Sequence, residues 1–220
     1  MKIDLHNHSK YSDGVLSVKE LLNLTKEKKI DIMGLTDHDS VFGVDEAYTY
    51  GKEVGVKVLK GMELSTFHKG QTVHIVCYFK NNVIPKELYE FSQNIINTRL
   101  QRAHKMINKI KDYYKINIDE DFLFKNSCIV TRGNMYQCIL HSNPDIDHTL
   151  AQQMISDDSP CYIPASKMTT EEGIKLLNNL GAFKILAHPT LIKKEYLSEI
   201  LDLGFDALEA RYPKNKAGEE

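Results

Sequence analysis

The residues of this chain that could carry chemistry are histidines and carboxylates spread along most of its length. His6 and His8 stand two residues apart, and a strand through them would place both side chains on one face. Four further positions follow in separate segments: His38, Glu63, His74 and His188. Imidazole and carboxylate groups together are the ligands expected for Zn, Mn or Fe, whereas Mg or Ca sites rarely contain so many imidazoles.

Each of these residues alone is weak evidence for a metal site, since single histidines more often belong to a core or a loop. Four of the positions, however, fall at the carboxyl end of a predicted strand, where ligands gather in folds built on parallel strands; His74 falls early in its strand. Asp37 and Asp39, on either side of His38, are candidates to orient its imidazole. The remaining histidines are predicted to lie at the surface: His68, His104, His141 and His148.

The strands that would hold these residues alternate with amphipathic helices in the first 65 residues. Ser17 and Glu20 form an S-x-x-E capping box ahead of a one-sided apolar pattern, which predicts a helix start. Predicted strands cover residues 2–6, 31–36, 56–65, 71–79, 182–187 and 205–209, and the first two predicted helices cover residues 17–29 and 43–54. Strands separated by helices predict an α/β fold with a mostly parallel sheet, closed or open.

A long helical stretch interrupts this alternation. Apolar residues recur three to five apart after Pro85, which predicts a helix over residues 85–112. Further helical patterns cover residues 119–125, 132–141, 147–155 and 170–180. The sequence therefore predicts a helical insertion at residues 81–170 between two parts of one sheet domain, residues 1–80 and 171–220.

Composition limits the classes of partner. The 28 basic and 30 acidic residues give a net charge of -2, so no overall field favours binding to long nucleic acids. The four cysteines form no C-x-x-C pair and are expected as reduced core residues: Cys77, Cys128, Cys138 and Cys161. A short or small phosphorylated substrate stays compatible with this charge. No apolar run resembles a signal peptide or a membrane span, so we expect a cytoplasmic protein.

Five segments resemble, in order and spacing, the metal motifs of PHP (polymerase and histidinol phosphatase) phosphoesterases. They are H-N-H-S-x-x-S-D-G from His6, T-D-H-D around His38, G-x-E at Glu63, H-I at His74 and A-H-P at His188. The resemblance covers nearly the whole chain. It implies a distorted seven-stranded (β/α) barrel that holds up to three divalent metal ions, expected to be Mn, Zn or Fe.

The resemblance also implies a role for each matched residue. His6, His8 and Glu63 would bind the first ion, Asp13 and His38 the second, and His74 and His188 the third, with Glu63 bridging the first and third. Clustered ions lower the pKa of a bound water and neutralise charge as the P–O bond breaks. Glu63, His38 and Asp13 are therefore the predicted catalytic residues.

The insertion narrows the resemblance to the branch that hydrolyses nucleoside 3',5'-bisphosphates and trims short RNA from its 5' end. In that branch an R-P-H segment binds phosphate, and here the matching residues are Arg132, Gly133 and Asn134. Asparagine donates hydrogen bonds but carries no charge. Arg132 and Asn134, together with Arg99 and Arg102 on the long predicted helix, are the candidate substrate-binding residues.

The sequence departs from the family at its end, because no D-x-H motif follows residue 209. That motif would supply one more ligand each to the first and second ions from a last strand. We therefore expect a piece of a longer protein, with a barrel that lacks its last strand. Two alternatives stay open: a histidinol-phosphate-type phosphatase, and a non-catalytic, metal-stabilised PHP-like module that acts through a partner. The sequence leaves the oligomeric state open.

Overall fold

The protein forms one mixed six-stranded sheet in the part described by the computed structural model, residues 1–125, 130–163 and 168–212. The strands follow chain order across the sheet: β1 Ile3–Asn7, β2 Ile32–Leu35, β3 Lys57–His68, β4 Gln71–Phe79, β5 Ala182–Leu186 and β6 Ala207–Leu208. All six correspond to predicted strands. The pairs β1–β2, β2–β3 and β5–β6 are parallel, whereas β3–β4 and β4–β5 are antiparallel.

Eight α-helices accompany this sheet within the described residues. They are α1 Val18–Glu27, α2 Val44–Val54, α3 Lys86–Tyr114, α4 Glu120–Lys125, α5 Arg132–Ser142, α6 His148–Met154, α7 Thr170–Asn179 and α8 Lys194–Leu201. The sequence predicted all of them except α8, which is short and has no side-chain hydrogen bond at its N-terminus. Two short 3-10 helices follow β4 and β5, at Lys80–Asn82 and Pro189–Leu191.

The hairpin between β3 and β4 explains why the sheet is not parallel throughout. Lys69 and Gly70 alone join the two strands, and both have positive φ, 45° and 88°. Two residues with positive φ form the tight turn that suits antiparallel strands, whereas a parallel connection needs a dozen or more residues. The strand that carries His74 therefore runs opposite to its neighbours on both sides.

Three separate buried clusters stabilise the described residues, and the smallest joins α8 to β4 and β5. In the first, Leu22 of α1 and Val44 of α2 belong to the same core as Met33 of β2 and Leu64 of β3, and all four are almost fully buried. The second lies within the insertion and is built from α3 to α6: Ala103, Met106, Ile107, Ile110, Ile118, Leu123, Val130, Met135, Cys138, Ile139, Ala151, Met154, Ile155 and Cys161. The predicted domain boundaries stay a prediction, since α3 contributes residues to both cores.

The histidine and cysteine predictions are partly corrected. His104, His141 and His148 are exposed as expected, but His68 is buried, because Glu171 of α7 and Glu199 of α8 approach its two ring nitrogens at 3.3 and 3.2 Å. Three of the four cysteines, Cys77, Cys138 and Cys161, are free and buried, as predicted. Cys128 lies outside the described residues. Among the described helices, none is long and apolar enough to cross a membrane.

Close packing around Tyr78 of β4 requires glycine at two positions in neighbouring strands. The Tyr78 hydroxyl donates a hydrogen bond to the carbonyl oxygen of Leu5 in β1, so the ring passes over β3 and β2. A Cβ at Gly34 would lie 2.0 Å from the Tyr78 hydroxyl oxygen, and a Cβ at Gly61 would lie 2.7 Å from the Tyr78 ring. These two glycines allow one side chain to connect β4 with β1 beneath the histidines.

We predict that Gly61→Ala lowers the free energy of unfolding by about 1–3 kcal/mol, because a methyl group forced into packed surroundings causes strain. The measurement is the midpoint of urea unfolding. Gly133→Ala is the matched control, since its Cβ would meet only Thr131 Oγ1 at 3.6 Å and α5 favours alanine over glycine. An unchanged midpoint for Gly61→Ala would contradict the close packing described here.

Candidate metal centre

The predicted metal ligands converge at one end of the sheet. His6 lies in β1 and His8 just after it, His38 follows β2, and Glu63 lies within the long β3. His74 lies early in β4, and His188 directly follows β5. Because β4 is antiparallel to its neighbours, its beginning lies at the same rim as the ends of the other strands. The early position of His74 in its strand is thereby explained.

Glu63 lies at the centre of these residues, with a side chain that is 1% exposed. Three imidazole nitrogens approach its Oε2: His6 Nε2 at 3.1 Å, His8 Nε2 at 3.0 Å and His38 Nδ1 at 3.1 Å. Two approach its Oε1, His74 Nδ1 and His188 Nε2, each at 3.0 Å. The two carboxylate oxygens thus face two different sets of imidazoles, as a carboxylate shared between two cations would.

Asp13 lies at the open side of this cluster and is 44% exposed. Its Oδ1 lies 3.2 Å from His8 Nδ1, and its Oδ2 lies 3.7 Å from His38 Nε2. Three groups have ligand atoms close enough to surround an ion: His6, His8 and Glu63; His8, Asp13 and His38; and His38, Glu63 and His74. These groups overlap, because His8, His38 and Glu63 each belong to two of them.

The cluster fits divalent cations better than it fits hydrogen bonding alone. Within the part of the chain that the structure describes, His38 Nδ1 is a buried nitrogen without a hydrogen-bond partner, although Glu63 Oε2 lies only 3.1 Å away. His74 Nδ1 and His188 Nε2 lie 3.3 Å apart and both face Glu63 Oε1. Nitrogens that crowd one carboxylate in this way are arranged as ligands of a shared ion would be.

The electrostatics of the cluster follow from burial and from these contacts. Burial alone would raise the pKa of Glu63, but hydrogen bonds from His188, His6 and His74 outweigh it and hold the pKa well below its usual value. Burial would lower the pKa of His6, but hydrogen bonds to Glu209 and Glu63 raise it to about 9. His38, whose burial dominates, has its pKa lowered to about 4.

Glu209 was not predicted, yet it contacts two of the histidines. Its Oε1 lies 3.1 Å from His6 Nδ1, and its Oε2 accepts a hydrogen bond of 2.7 Å from the backbone N–H of His188. A carboxylate on one ring nitrogen fixes the tautomer and turns the other nitrogen towards an ion. Glu209 follows the last strand, so the strand-end criterion used for the histidines would also have found it.

The two aspartates beside His38 act differently from what the sequence indicated. Asp37 accepts hydrogen bonds from the backbone N–H of Ser9 and from the hydroxyls of Ser9 and Ser12, at 2.7, 2.7 and 2.6 Å. It therefore holds the loop that presents His8 and Asp13. Neither aspartate has a described hydrogen bond to the His38 ring; Asp39 instead accepts from the backbone N–H of Ser65 and pairs with Arg99.

A cavity of about 270 Å³ lies between α3 and the metal centre. His74, Asp39 and Ser65 line it on the side of the sheet. The helical insertion lines the other side with Phe91, Ile95, Arg99, Arg102, Arg132 and Tyr162. The insertion thus places three positively charged side chains and an apolar wall beside the metal centre.

The four candidate substrate residues differ in their contacts. Arg102 donates from Nε to the carbonyl oxygen of Ile163 at 2.6 Å, and burial lowers its pKa, as do the nearby positive charges of Arg132 and Arg99. Arg132 pairs with Asp157. Asn134 does not line the cavity, and its Oδ1 accepts from the backbone and hydroxyl of Thr131 in a capping box.

Comparison with known proteins identifies the family. The chain belongs to the PHP domain family, which matches residues 4–158. A 5'-3' exoribonuclease from Haemophilus influenzae is 28% identical over 86% of this chain and 69% of its own length. A 3',5'-nucleoside bisphosphate phosphatase from Chromobacterium violaceum is 26% identical over 85% of this chain and 66% of its own length. The chain therefore spans about two thirds of the length of these relatives.

Solved structures share the fold. A protein from Bifidobacterium adolescentis, described as a metal-dependent phosphoesterase, superposes with a TM-score of 0.83 at 21% identity, covering 100% of this chain and 80% of that one. An amidohydrolase from Chromobacterium violaceum gives 0.80 at 24% identity, covering 96% and 77%. The predicted PHP-like fold is confirmed, and the named relatives are enzymes of the predicted class, hydrolases of phosphoric esters.

We predict that Glu209→Gln weakens binding of Mn or Zn by about 10- to 100-fold, the usual cost of losing a group that orients a metal ligand. The amide keeps the size of the side chain but does not hold His6 Nδ1 by charge. Isothermal titration calorimetry with Mn or Zn measures the dissociation constant of each variant. Glu53→Gln, on the exposed side of α2, is the control. Equal affinities for the two variants would show that Glu209 does not act on the metal centre.

Proposed function

We propose that this protein is a divalent-metal-dependent phosphoesterase that removes phosphate from small nucleotides such as nucleoside 3',5'-bisphosphates or short RNA 5' ends. One observation carries the proposal: a single buried carboxylate, Glu63, is surrounded by five imidazole nitrogens at 3.0–3.1 Å beside an arginine-lined cavity. The carboxylate with its imidazoles suits clustered cations. The arginine-lined cavity suits a further anionic group on the same substrate.

The ligand assignment is the one that the family resemblance implies, and the contacts of Glu63 with His6, His8, His74 and His188 support its first and third sets. His6, His8 and Glu63 would hold the first ion, Asp13 and His38 the second, and His74 and His188 the third, with Glu63 shared between the first and third. The donor set favours Mn, Zn or Fe over Mg or Ca. When bound, such ions supply the Lewis acidity that phosphate ester hydrolysis needs.

Two further carboxylates of the site hold the proposed metal ligands in position. Glu209 holds His6 and the backbone at His188, and Asp37 holds the loop that carries His8 and Asp13. Asp13 is the most exposed of the proposed ligands, so its carboxylate lies where a substrate would enter. On this proposal, Glu63, His38 and Asp13 are the catalytic residues.

The cavity supports a substrate with two anionic ends. Arg102 and Arg132 would bind a phosphate by charge-assisted hydrogen bonds while another phosphate lies at the metal centre. The ring of Tyr162 lies near both guanidinium groups, with its centroid 5.5 Å from Arg102 Cζ and 5.1 Å from Arg132 Cζ. Phe91 and Ile95 on α3 offer an apolar wall to a sugar or base.

The named relatives support this assignment. They include a 3',5'-nucleoside bisphosphate phosphatase and 5'-3' exoribonucleases. A histidinol-phosphate-type phosphatase would have less use for a cavity lined by three arginines. A non-catalytic module would bind metal without releasing phosphate, so a metal count combined with a phosphatase assay separates that alternative.

We predict that the chain supplied with Mn or Zn releases phosphate from a nucleoside 3',5'-bisphosphate, and that Glu63→Gln lowers kcat/KM by at least about 100-fold. Even residues that only orient metal ligands cost about 10- to 100-fold, and a neutral amide cannot bridge two cations. The unfolding midpoint checks that the fold persists. Glu87→Gln, an exposed change at the start of α3, is the control. Full activity of Glu63→Gln in chelator would contradict metal chemistry at this site.

A second prediction concerns Arg132. Arg132→Met should raise KM for the bisphosphate by roughly 10- to 100-fold, since a charge-assisted hydrogen bond contributes about 1.5–3 kcal/mol. The KM for a substrate with a single phosphate should change much less. Steady-state kinetics on both substrates measure the difference, with Lys105→Met, exposed on α3, as the control. An equal rise in KM for both substrates would argue against a second phosphate site at Arg132.

A further inference from the structure

Helix α3 crosses the cavity without core packing along its middle. The helix has 29 residues, and its buried side chains form two groups, Leu88 and Ser92 near its start and Ala103 to Ile110 near its end. Residues 93–102, between them, include no buried side chain. At 1.5 Å per residue this stretch is about 15 Å long. The side chains of this stretch therefore give it no buried packing of its own against either core.

One ion pair joins this stretch to the sheet. Arg99, seven residues into it, pairs through Nη2 with the Oδ2 of Asp39, whose side chain is 2% exposed while that of Arg99 is 25% exposed. Both residues line the cavity. Breaking a buried pair by removing one partner is costly, since the other charge is left without compensation. The pair therefore links the sheet to the part of α3 that has no buried side chain.

Asp39 is in turn fixed to the strand that carries Glu63. Its backbone N–H donates to the carbonyl oxygen of Glu63 at 2.9 Å, and its Oδ1 accepts from the backbone N–H of Ser65 at 2.7 Å. It also adopts a positive φ of 52°, a conformation that aspartate and asparagine tolerate better than most residues. A movement of Asp39 would therefore reach the β3 backbone at Glu63 and at Ser65.

We propose that Arg99 is a positioning residue whose ion pair with Asp39 holds the middle of α3, and with it Arg102, at a fixed distance from the metal centre. That distance sets which spacing of two anionic groups a substrate can have. The specificity part of this inference rests on the proposed function, whereas the positioning part does not. Arg99 thus acts on the substrate through Arg102, rather than by the direct contact that the sequence indicated.

The placement of Arg102 supports this role. It lies three residues after Arg99, so the two side chains are neighbours on one face of α3. Its Nε is held by the carbonyl oxygen of Ile163 at 2.6 Å, while Arg99 is held by Asp39. Through these two neighbouring side chains the helix is held both to the sheet and to the residues that follow α6.

The test uses the full chain and the variants Arg99→Met, Arg99→Lys, Asp39→Asn and the double variant Arg99→Met/Asp39→Asn. Asparagine keeps an oxygen that accepts from Ser65 and removes only the charge. Amide hydrogen exchange on metal-free protein is the first measurement. In Arg99→Met and in Asp39→Asn, exchange over residues 93–102 should quicken by at least about 10-fold. Lys105→Met, the control on the same helix, should leave this exchange unchanged.

Kinetics with bound Mn form the second measurement, with metal content recorded for every variant. Arg99→Met should raise KM for a nucleoside 3',5'-bisphosphate about 10-fold, with a much smaller effect on KM for p-nitrophenyl phosphate. Arg99→Lys, which keeps the charge, should recover most of the loss. The double variant should be no worse than either single variant, because residues that act through one contact are not additive.

Two outcomes would overturn the inference. Unchanged exchange over residues 93–102 in both single variants would show that the ion pair does not hold the helix. A raised KM in Arg99→Met but not in Asp39→Asn would show that Arg99 contacts the substrate directly. Failure of the wild-type protein to hydrolyse the bisphosphate would instead refute the proposed function, and the exchange measurement would still decide whether Arg99 positions the helix.

Discussion

The side chain of Glu63 is the constraint on which the rest of the structure depends. An ionised carboxylate that is 1% exposed is costly unless charges or hydrogen bonds surround it. Here the compensation comes from imidazoles contributed by the ends of β1, β2 and β5 and by the start of β4. The strands must therefore bring their ends to one rim, and any change in the sheet that moved one of them would expose or isolate the carboxylate.

Several features of the fold meet this constraint. The two-residue hairpin at Lys69 and Gly70 reverses the chain and so returns the start of β4, with its histidine, to the rim. Tyr78, farther along β4, reaches Leu5 across two glycines and connects the strands beneath the histidines. Asp37 holds the loop after β1. The hairpin, the Tyr78 contact and the Asp37 hydrogen bonds are each local, and together they fix the positions of the side chains around Glu63.

Much of this was predictable because the relevant signals are local. Strand ends, the capping box at Ser17 and the helical periodicities gave nearly every element within a few residues. What escaped prediction depends on contacts distant in the sequence: Glu199 and Glu171 over His68, Glu209 on His6, and Asp39 on Arg99. Asn134 shows the same limit, since its match to a phosphate-binding position gave no sign that Thr131 would engage it in a helix cap.

The sheet and the insertion form two opposite walls of the cavity, and the two walls are held in different ways. The proposed metal ligands lie at strand ends, where the hydrogen-bonded ladder holds His6, Glu63 and His74 and where Glu209 holds the backbone at His188. The opposite wall of the cavity is a helix whose two ends are anchored in different cores and whose middle has no buried side chain. On the proposed function, substrates that need only the metals would depend on the first wall alone. Discrimination between substrates would then depend on how firmly the second wall is held, and the Arg99–Asp39 ion pair across the cavity is the link that we propose.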